Sequence, residues 1–200
     1  MTERAFAQAA ANNAAPILEV LRHEFRDCTE VLELGSGTGQ HAVTFAADLD
    51  HLQWQTSDLD ENHAGIEAWI ADAGVMNIRA PLSVDVRTAD LPPDAYDGIY
   101  SSNTAHIMSA DAVRDMLVLV ARALRPGGIF CLYGPFTKGG RFNTASNERF
   151  DQQLRRQDPD MGLRDLPVLE EQAARHGLER ERLYAMPANN LLAVWRKESG

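Results

Sequence analysis

Cysteine is scarce: Cys28 and Cys131 stand far apart, and no CxxC occurs. That excludes a disulfide framework and a cysteine-held zinc ribbon, and is the usage expected in a reducing cytoplasm. Basic residues are outnumbered, 19 Lys and Arg against 29 Asp and Glu, leaving a net charge of −10. A field of that sign repels phosphate backbones, so nucleic acid is not an expected partner. No apolar run approaches the roughly 20 residues that span a bilayer, and no membrane association is expected. Met1-Thr2-Glu3-Arg4-Ala5 lacks a basic stretch leading into an apolar one, so no secretory leader is expected. Repeats and low-complexity tracts are missing beyond the Ala-rich start. There is no GxSxG elbow and no GxxxxGK[ST], which speaks against a hydrolase and an NTPase. What remains is an ordinary 44% apolar content over 200 residues, enough for a single domain spanning 1–200.

Hydrophobic spacing then assigns elements. Pro16, Ile17, Val20, Leu21 and Phe25 recur at helical intervals, predicting an N-terminal arm and a helix over about 14–26 with Pro16 in its first turn. Short β-prone runs are read at 30–34, 52–56, 81–84, 96–101 and 129–133. Helical patterns lie between them at 41–49, 62–73 and 111–124, and Arg125-Pro126-Gly127-Gly128 is read as a turn. This alternation predicts an α/β fold with a parallel sheet covered on both faces. A further helix over about 167–176 stops at Gly177. Runs 182–186 and 191–195, separated by Pro187-Ala188-Asn189-Asn190, predict a terminal antiparallel hairpin. Residues 134–165 form the least regular stretch, expected to be a lid-like insertion with a short helix near Phe150 and Leu154.

The most informative stretch is Val31-Leu32-Glu33-Leu34-Gly35-Ser36-Gly37-Thr38-Gly39-Gln40, a strand running into glycines that open a helix. Glycines let the backbone approach a ligand, and a helix N-terminus offers free N–H groups. A dinucleotide loop would read GxGxxG. Here Gln40 takes the third-glycine position and Gly39 gives GxGxG instead. Asp58 follows about twenty residues on, past the second strand, where a carboxylate can accept the hydroxyls of a ribose. Asp85 follows the third strand, where its side chain and the Val86 N–H can meet an adenine edge.

Together with the 125–128 turn and the terminal hairpin, these features resemble a class I S-adenosylmethionine-dependent methyltransferase over about 14–197. Within that superfamily the chain resembles a methyltransferase-like family of unassigned function. The segments that carry this likeness are Asn13-Ala14-Ala15-Pro16-Ile17-Leu18, Tyr133-Gly134-Pro135-Phe136, Ser146-Asn147-Glu148-Arg149-Phe150-Asp151, Asp158-Pro159, Gly162-Leu163-Arg164-Asp165 and Pro187-Ala188-Asn189-Asn190. One departure is Asn12-Asn13, where similar sequences carry Arg-Asn. The resemblance implies a Rossmann-like, doubly wound, mostly parallel seven-stranded sheet and S-adenosyl-L-methionine as cofactor. It implies that Glu33, Gly35, Ser36, Gly37 and Gly39 border the methionine moiety, and that Asp58 holds the ribose with Leu59 near the adenine. Asp85 and Val86 would read the adenine edge, while Ser102 and Asn103 would face the sulfonium and the acceptor.

Methyl transfer asks mainly for alignment and exclusion of water, and in some cases for a base. His106, just past the fourth strand, is the candidate base, with Tyr133 and Asn103 as candidate orienting groups. The other histidines, His41 among them, are read as surface residues. His63 and Glu67 stand at i, i+4 but are too few for a metal, and none is expected. In the insertion, Arg155 or Arg164 is expected to meet a carboxylate or phosphate, with Phe142, Asn147 and Asn190 lining the same pocket. The expected partner is therefore a small polar or anionic acceptor. The alternatives are a donor-binding sensor or partner subunit without transferase activity and, further off, an NAD-dependent oxidoreductase.

Overall fold

The computed structural model describes residues 5–199, so the first four positions of the expected arm, and of the segment read for a leader, lie outside the described residues. In chain order the elements begin α1 (Gln8–Glu24), β1 (Glu30–Leu34), α2 (Gln40–Asp48), β2 (Gln53–Asp58), α3 (Asp60–Ala73), β3 (Ile78–Ser83), β4 (Tyr96–Ser102) and α4 (Ala110–Ala123). They continue β5 (Leu124–Gly134), β6 (Phe136–Thr137), α5 (Ala145–Gln157), β7 (Arg164–Asp165), α6 (Leu166–Ala174), β8 (Leu178–Met186) and β9 (Asn190–Lys197).

Seven strands form one sheet in the order β3-β2-β1-β4-β5-β9-β8. The first five are mutually parallel, and β9 runs antiparallel between β5 and β8. The expected Rossmann-like, doubly wound sheet with a terminal hairpin is thus present. Alternate residues of the inner strands feed two separate cores. Ile99, Phe130, Leu132, Ala193 and Trp195 face α4 and α6. Tyr100, Cys131, Tyr133, Leu192 and Val194 face α1 and α2. Burial on both faces is why these strands read as continuous apolar runs.

Three expectations are corrected. The first helix starts at Gln8, about six residues early, and Pro16 lies inside it. The Ala-rich run has little to bury, but alanine is the best helix former, and the run is held from outside: Gln40 Oε1 accepts the Ala7 N–H at 2.5 Å. At the other end of α1, buried Glu24 accepts from Arg182 at 2.7 and 3.0 Å and from Tyr184 at 2.5 Å, tying the helix to β8. Second, 125–128 is no separate turn but an irregular part of β5. Gly127 has φ +77°, and the ladder to β4 steps from Tyr96↔Leu124 to Gly98↔Ile129. Third, the 134–165 segment is largely regular. The helix expected near Phe150 and Leu154 is there, longer than read, as the 13-residue α5, capped by Thr144 Oγ1 accepting the Asn147 N–H at 3.2 Å, and the segment also holds the parallel pair β6–β7. The buried positions of α5 are Asn147, Asp151 and Leu154, and two polar residues out of three conceal the helical stripe. Among the described residues no helix is long and apolar enough to cross a membrane.

Candidate active site

The chain winds from β1 outward to β3 and then returns to β4, so the carboxyl ends of β1 and β4 diverge into a crevice, the usual ligand position of such sheets. A cavity of about 800 Å³ opens there. It is lined by the loop after β1, the ends of β2 and β4, the residues after β3, and Ala7, Ala9 and Ala10 of the N-terminal segment.

The glycine loop is shaped by positive φ at Gly35 (+73°), Gly37 (+57°) and Gly39 (+88°). Gly35 has a second reason to be glycine: a Cβ there would lie 2.6 Å from Thr104 Cγ2. The Gly35 and Ser36 N–H groups donate to the Ser57 carbonyl at 3.0 and 2.9 Å, anchoring the loop to β2. Asp58 holds it from the other side. Its carboxylate accepts from the Gly37 N–H, the Leu59 N–H and Asn62 Nδ2, each at 2.7 Å. A carboxylate has about four lone-pair sites, so one remains for a ligand hydroxyl rather than the two expected of it.

Glu33 is buried at the base of the loop and accepts from Ser36 Oγ at 2.9 Å and Trp54 Nε1 at 3.2 Å. Burial pushes its carboxyl up to about 7, against the pull of those two donors. Asp85 is gripped by Arg87 through its side chain, at 2.5 to 3.1 Å, and its backbone N–H, at 3.0 Å. These bonds hold it below the usual carboxylate range. Among the described residues nothing accepts the Val86 N–H, and Val86 lines the cavity.

Glu33, Gly35, Ser36, Gly37, Asp58, Leu59, Asp85, Val86, Ser102 and Asn103 are therefore brought together, as residues so widely separated in sequence can be only by the fold. Gly39 is not among them. A Cβ on it would lie 3.0 Å from Ile66 Cα and 3.3 Å from Trp69 Cβ, so it serves the close approach of α2 to α3.

The expected catalytic groups are placed differently. Asn103 lines the cavity at φ +56°, its N–H donating to the Tyr133 carbonyl at 2.9 Å. His106 and Tyr133 lie outside the lining. The His106 ring is buried edge-on to Phe150, and burial, reinforced by Arg164, drives its imidazole down to about 4. The Tyr133 hydroxyl is buried beside the Asn13 and Asn190 side chains, and burial makes its phenol a weaker acid than usual. Nor do the five expected substrate residues reach the cavity. Arg155 pairs with Asp151 at 2.8 Å. Arg164 donates to the carbonyls of Gly162 at 2.8 Å and Asp160 at 2.9 Å. Asn147 Nδ2 meets Asn143 Oδ1 and the Asn189 carbonyl, Asn190 Nδ2 meets the Pro187 carbonyl, and Phe142 is half-buried. From the insertion only Asp158 and Asp160 line the cavity.

Sequence reasoning missed His41. It is 6% exposed, stacks on Phe45 at 4.8 Å and lines the cavity instead of lying on the surface. Burial lowers its imidazole to about 4. Its position two residues after Gly39, on the first turn of α2, was the available signal. Among the described residues no group of three or more His, Cys, Asp or Glu could share a metal ion.

Comparison with known proteins agrees with the fold. An O-methyltransferase family protein from Burkholderia thailandensis superposes with a TM-score of 0.81 at 17% identity, over 94% of this chain and 57% of that one. Human N-acetylserotonin methyltransferase, solved in complex with SAM, gives 0.73 at 14% identity, over 92% and 55%. YcgJ from Bacillus subtilis gives 0.73 at 17% identity, over 95% and 100%. The chain spans little more than half the length of the first two. A family model described as "Protein of unknown function (DUF938)" matches residues 4–197. On that match the chain belongs to the DUF938 family, and it is built on the fold of the S-adenosylmethionine-dependent methyltransferases.

Proposed function

We propose that the protein is an S-adenosylmethionine-dependent methyltransferase acting on a small polar molecule. One observation carries this reading: the glycine loop, Asp58 and the unpartnered Val86 N–H line a single cavity at the crevice between β1 and β4. The residues suit an adenosyl amino acid. The cavity volume falls in the roughly 300–1,000 Å³ range of small-molecule sites. Asp58 retains one acceptor position for a ribose hydroxyl, and the Val86 N–H is a donor for a ring nitrogen. Asp58 and Glu61 provide a negative lining for a cationic ligand. When bound, the cofactor supplies a methyl group on positive sulfur for in-line displacement. The chain's own part is to align and to exclude water. Ala7, Ala9 and Ala10 close one side, Ile107 and Met108 another, and Ser102 and Asn103 stand at the end of β4 where an acceptor would sit. An anionic acceptor is no longer favoured, because the arginines on which it rested, Arg155 and Arg164, are engaged elsewhere.

Titration calorimetry with S-adenosylhomocysteine tests the reading. Binding is expected, with Asp58→Ala weakening it by more than about tenfold, or about 1.4 kcal/mol. Asp58→Asn, which keeps one oxygen for the loop, should fall between. In thermal shift, stabilisation by NAD and none by S-adenosylhomocysteine would sink the proposal.

A further inference from the structure

His41 sits where three parts of the chain meet. Its Nε2 is 3.1 Å from the Ala10 carbonyl and 2.7 Å from Asn13 Oδ1, both on α1. A backbone carbonyl can only accept, so Nε2 carries the proton. Nδ1 is then a bare acceptor, and two hydroxyls converge on it: Ser102 Oγ at 3.2 Å and Tyr100 Oη at 3.3 Å. Tyr100 and Ser102 project from the same face of β4, two residues apart. Tyr100 is fully buried, whereas Ser102 is half-buried and lines the cavity.

We propose that His41 is a positioning residue: it draws the Ser102 hydroxyl hydrogen inward, so that Ser102 presents only oxygen lone pairs to the cavity and receives an N–H or O–H of the methyl acceptor. The inference rests on the methyltransferase reading above and narrows its substrate to an amine or a hydroxyl compound. A carboxylate or phosphate nucleophile would meet lone pairs at Ser102 and find Asp58, Glu61, Asp85, Asp158 and Asp160 around the cavity against Arg87 alone among the described residues. The ring cannot readily reverse its role by taking a second proton, since burial disfavours imidazolium. In the transfer itself the new N–C or O–C bond forms as the S–C bond breaks, its electron pair staying on sulfur. The nucleophile's proton passes to water at the cavity mouth.

Two measurements decide it. In protein carrying ¹⁵N-histidine, with the signal assigned by its loss in His41→Asn, the ring should show the Nε2–H tautomer at neutral pH. A proton on Nδ1 overturns the proposal. Second, the protein is incubated with methyl-labelled S-adenosylmethionine and a metabolite extract. The labelled product should resist mild alkali, as N-methyl and O-methyl ether groups do. Release of labelled methanol, the mark of a methyl ester, overturns it. With the isolated acceptor, Ser102→Ala and His41→Asn should raise KM about tenfold, with Ser102→Thr restoring most of the loss. Equal KM in all variants overturns it. Calorimetry with S-adenosylhomocysteine on the unaltered protein keeps the two ideas apart. No donor binding defeats the methyltransferase reading, whereas donor binding with the wrong tautomer or an alkali-labile product defeats only this one. If the extract yields no labelled product, the tautomer result stands as the decision.

Discussion

Single residues in the glycine loop carry different loads. Gly35 combines positive φ with contact to Thr104, whereas Gly37 has positive φ and open space around it. Gly35→Ala should therefore cost about 3 kcal/mol and Gly37→Ala about 1 kcal/mol, read from urea denaturation midpoints. Equal losses would show that the Thr104 contact is relieved by side-chain movement. The sequence marked both residues as a turn, but which glycine is crowded is set by Thr104, nearly seventy positions away. His41 shows the same limit. Its neighbours come from α1 and β4, so its burial has no local signature, whereas Asp58 declares itself by falling just after a β-prone run.

At the scale of elements, the N-terminal helix matters more than its apolar stripe suggests. Its first residues line the cavity, held there by Gln40, whose Oε1 accepts the Ala7 N–H and, at 3.0 Å, the Thr38 hydroxyl. Gln40→Ala removes both bonds from a buried position. Amide exchange should speed up at Ala7 and Ala11, whose N–H groups bond to Gln40 and to the Ala7 carbonyl, while the inner strands β1, β4 and β5 keep their protection. Affinity for S-adenosylhomocysteine should drop several-fold. Unaltered exchange at those amides would detach Gln40 from the closure of the cavity. The same element was misjudged at its start because the alanine run has no amphipathic period. Likewise the helix expected near Phe150 and Leu154 is present, but its full length hid behind Asn147 and Asp151, buried polar residues that bond to Asn143 and to the Leu163 N–H.

Across the whole molecule, buried titratable groups set the response to pH. His41 and His106 sit at about 4 in the fold, below the usual 6.5, so both are neutral when folded. Their contribution is full above pH 6.5 and is lost as the pH falls toward 4, because the unfolded chain takes up two protons that the fold refuses. Glu33 acts in the opposite sense. Raised from 4.5 to about 7, it stabilises most at low pH and loses that contribution as the pH rises through 7. Between pH 4.5 and 6.5 the two histidines outweigh the one carboxyl and stability should climb. From pH 6.5 to 8 the last of the histidine gain offsets the Glu33 loss, and stability should level off. In Glu33→Gln the climb should be steeper and run on to about pH 7.5 by urea denaturation at stepped pH, and a variant that levels off where the parent does would place the offset elsewhere.

The amino-acid sequence by itself determined the alternating α/β order, the terminal hairpin, the glycine turn and the acid at the end of β2. These are local matters of periodicity, backbone freedom and short spacing. Only the tertiary structure decided which side chains reach the cavity. It withdrew His106, Tyr133, Arg155 and Arg164 and supplied His41 and the start of α1. The physical reason is that burial and hydrogen-bond partnership depend on atoms distant in the chain. A side chain's neighbours, and with them its protonation and direction, exist only once the two cores have closed around the sheet.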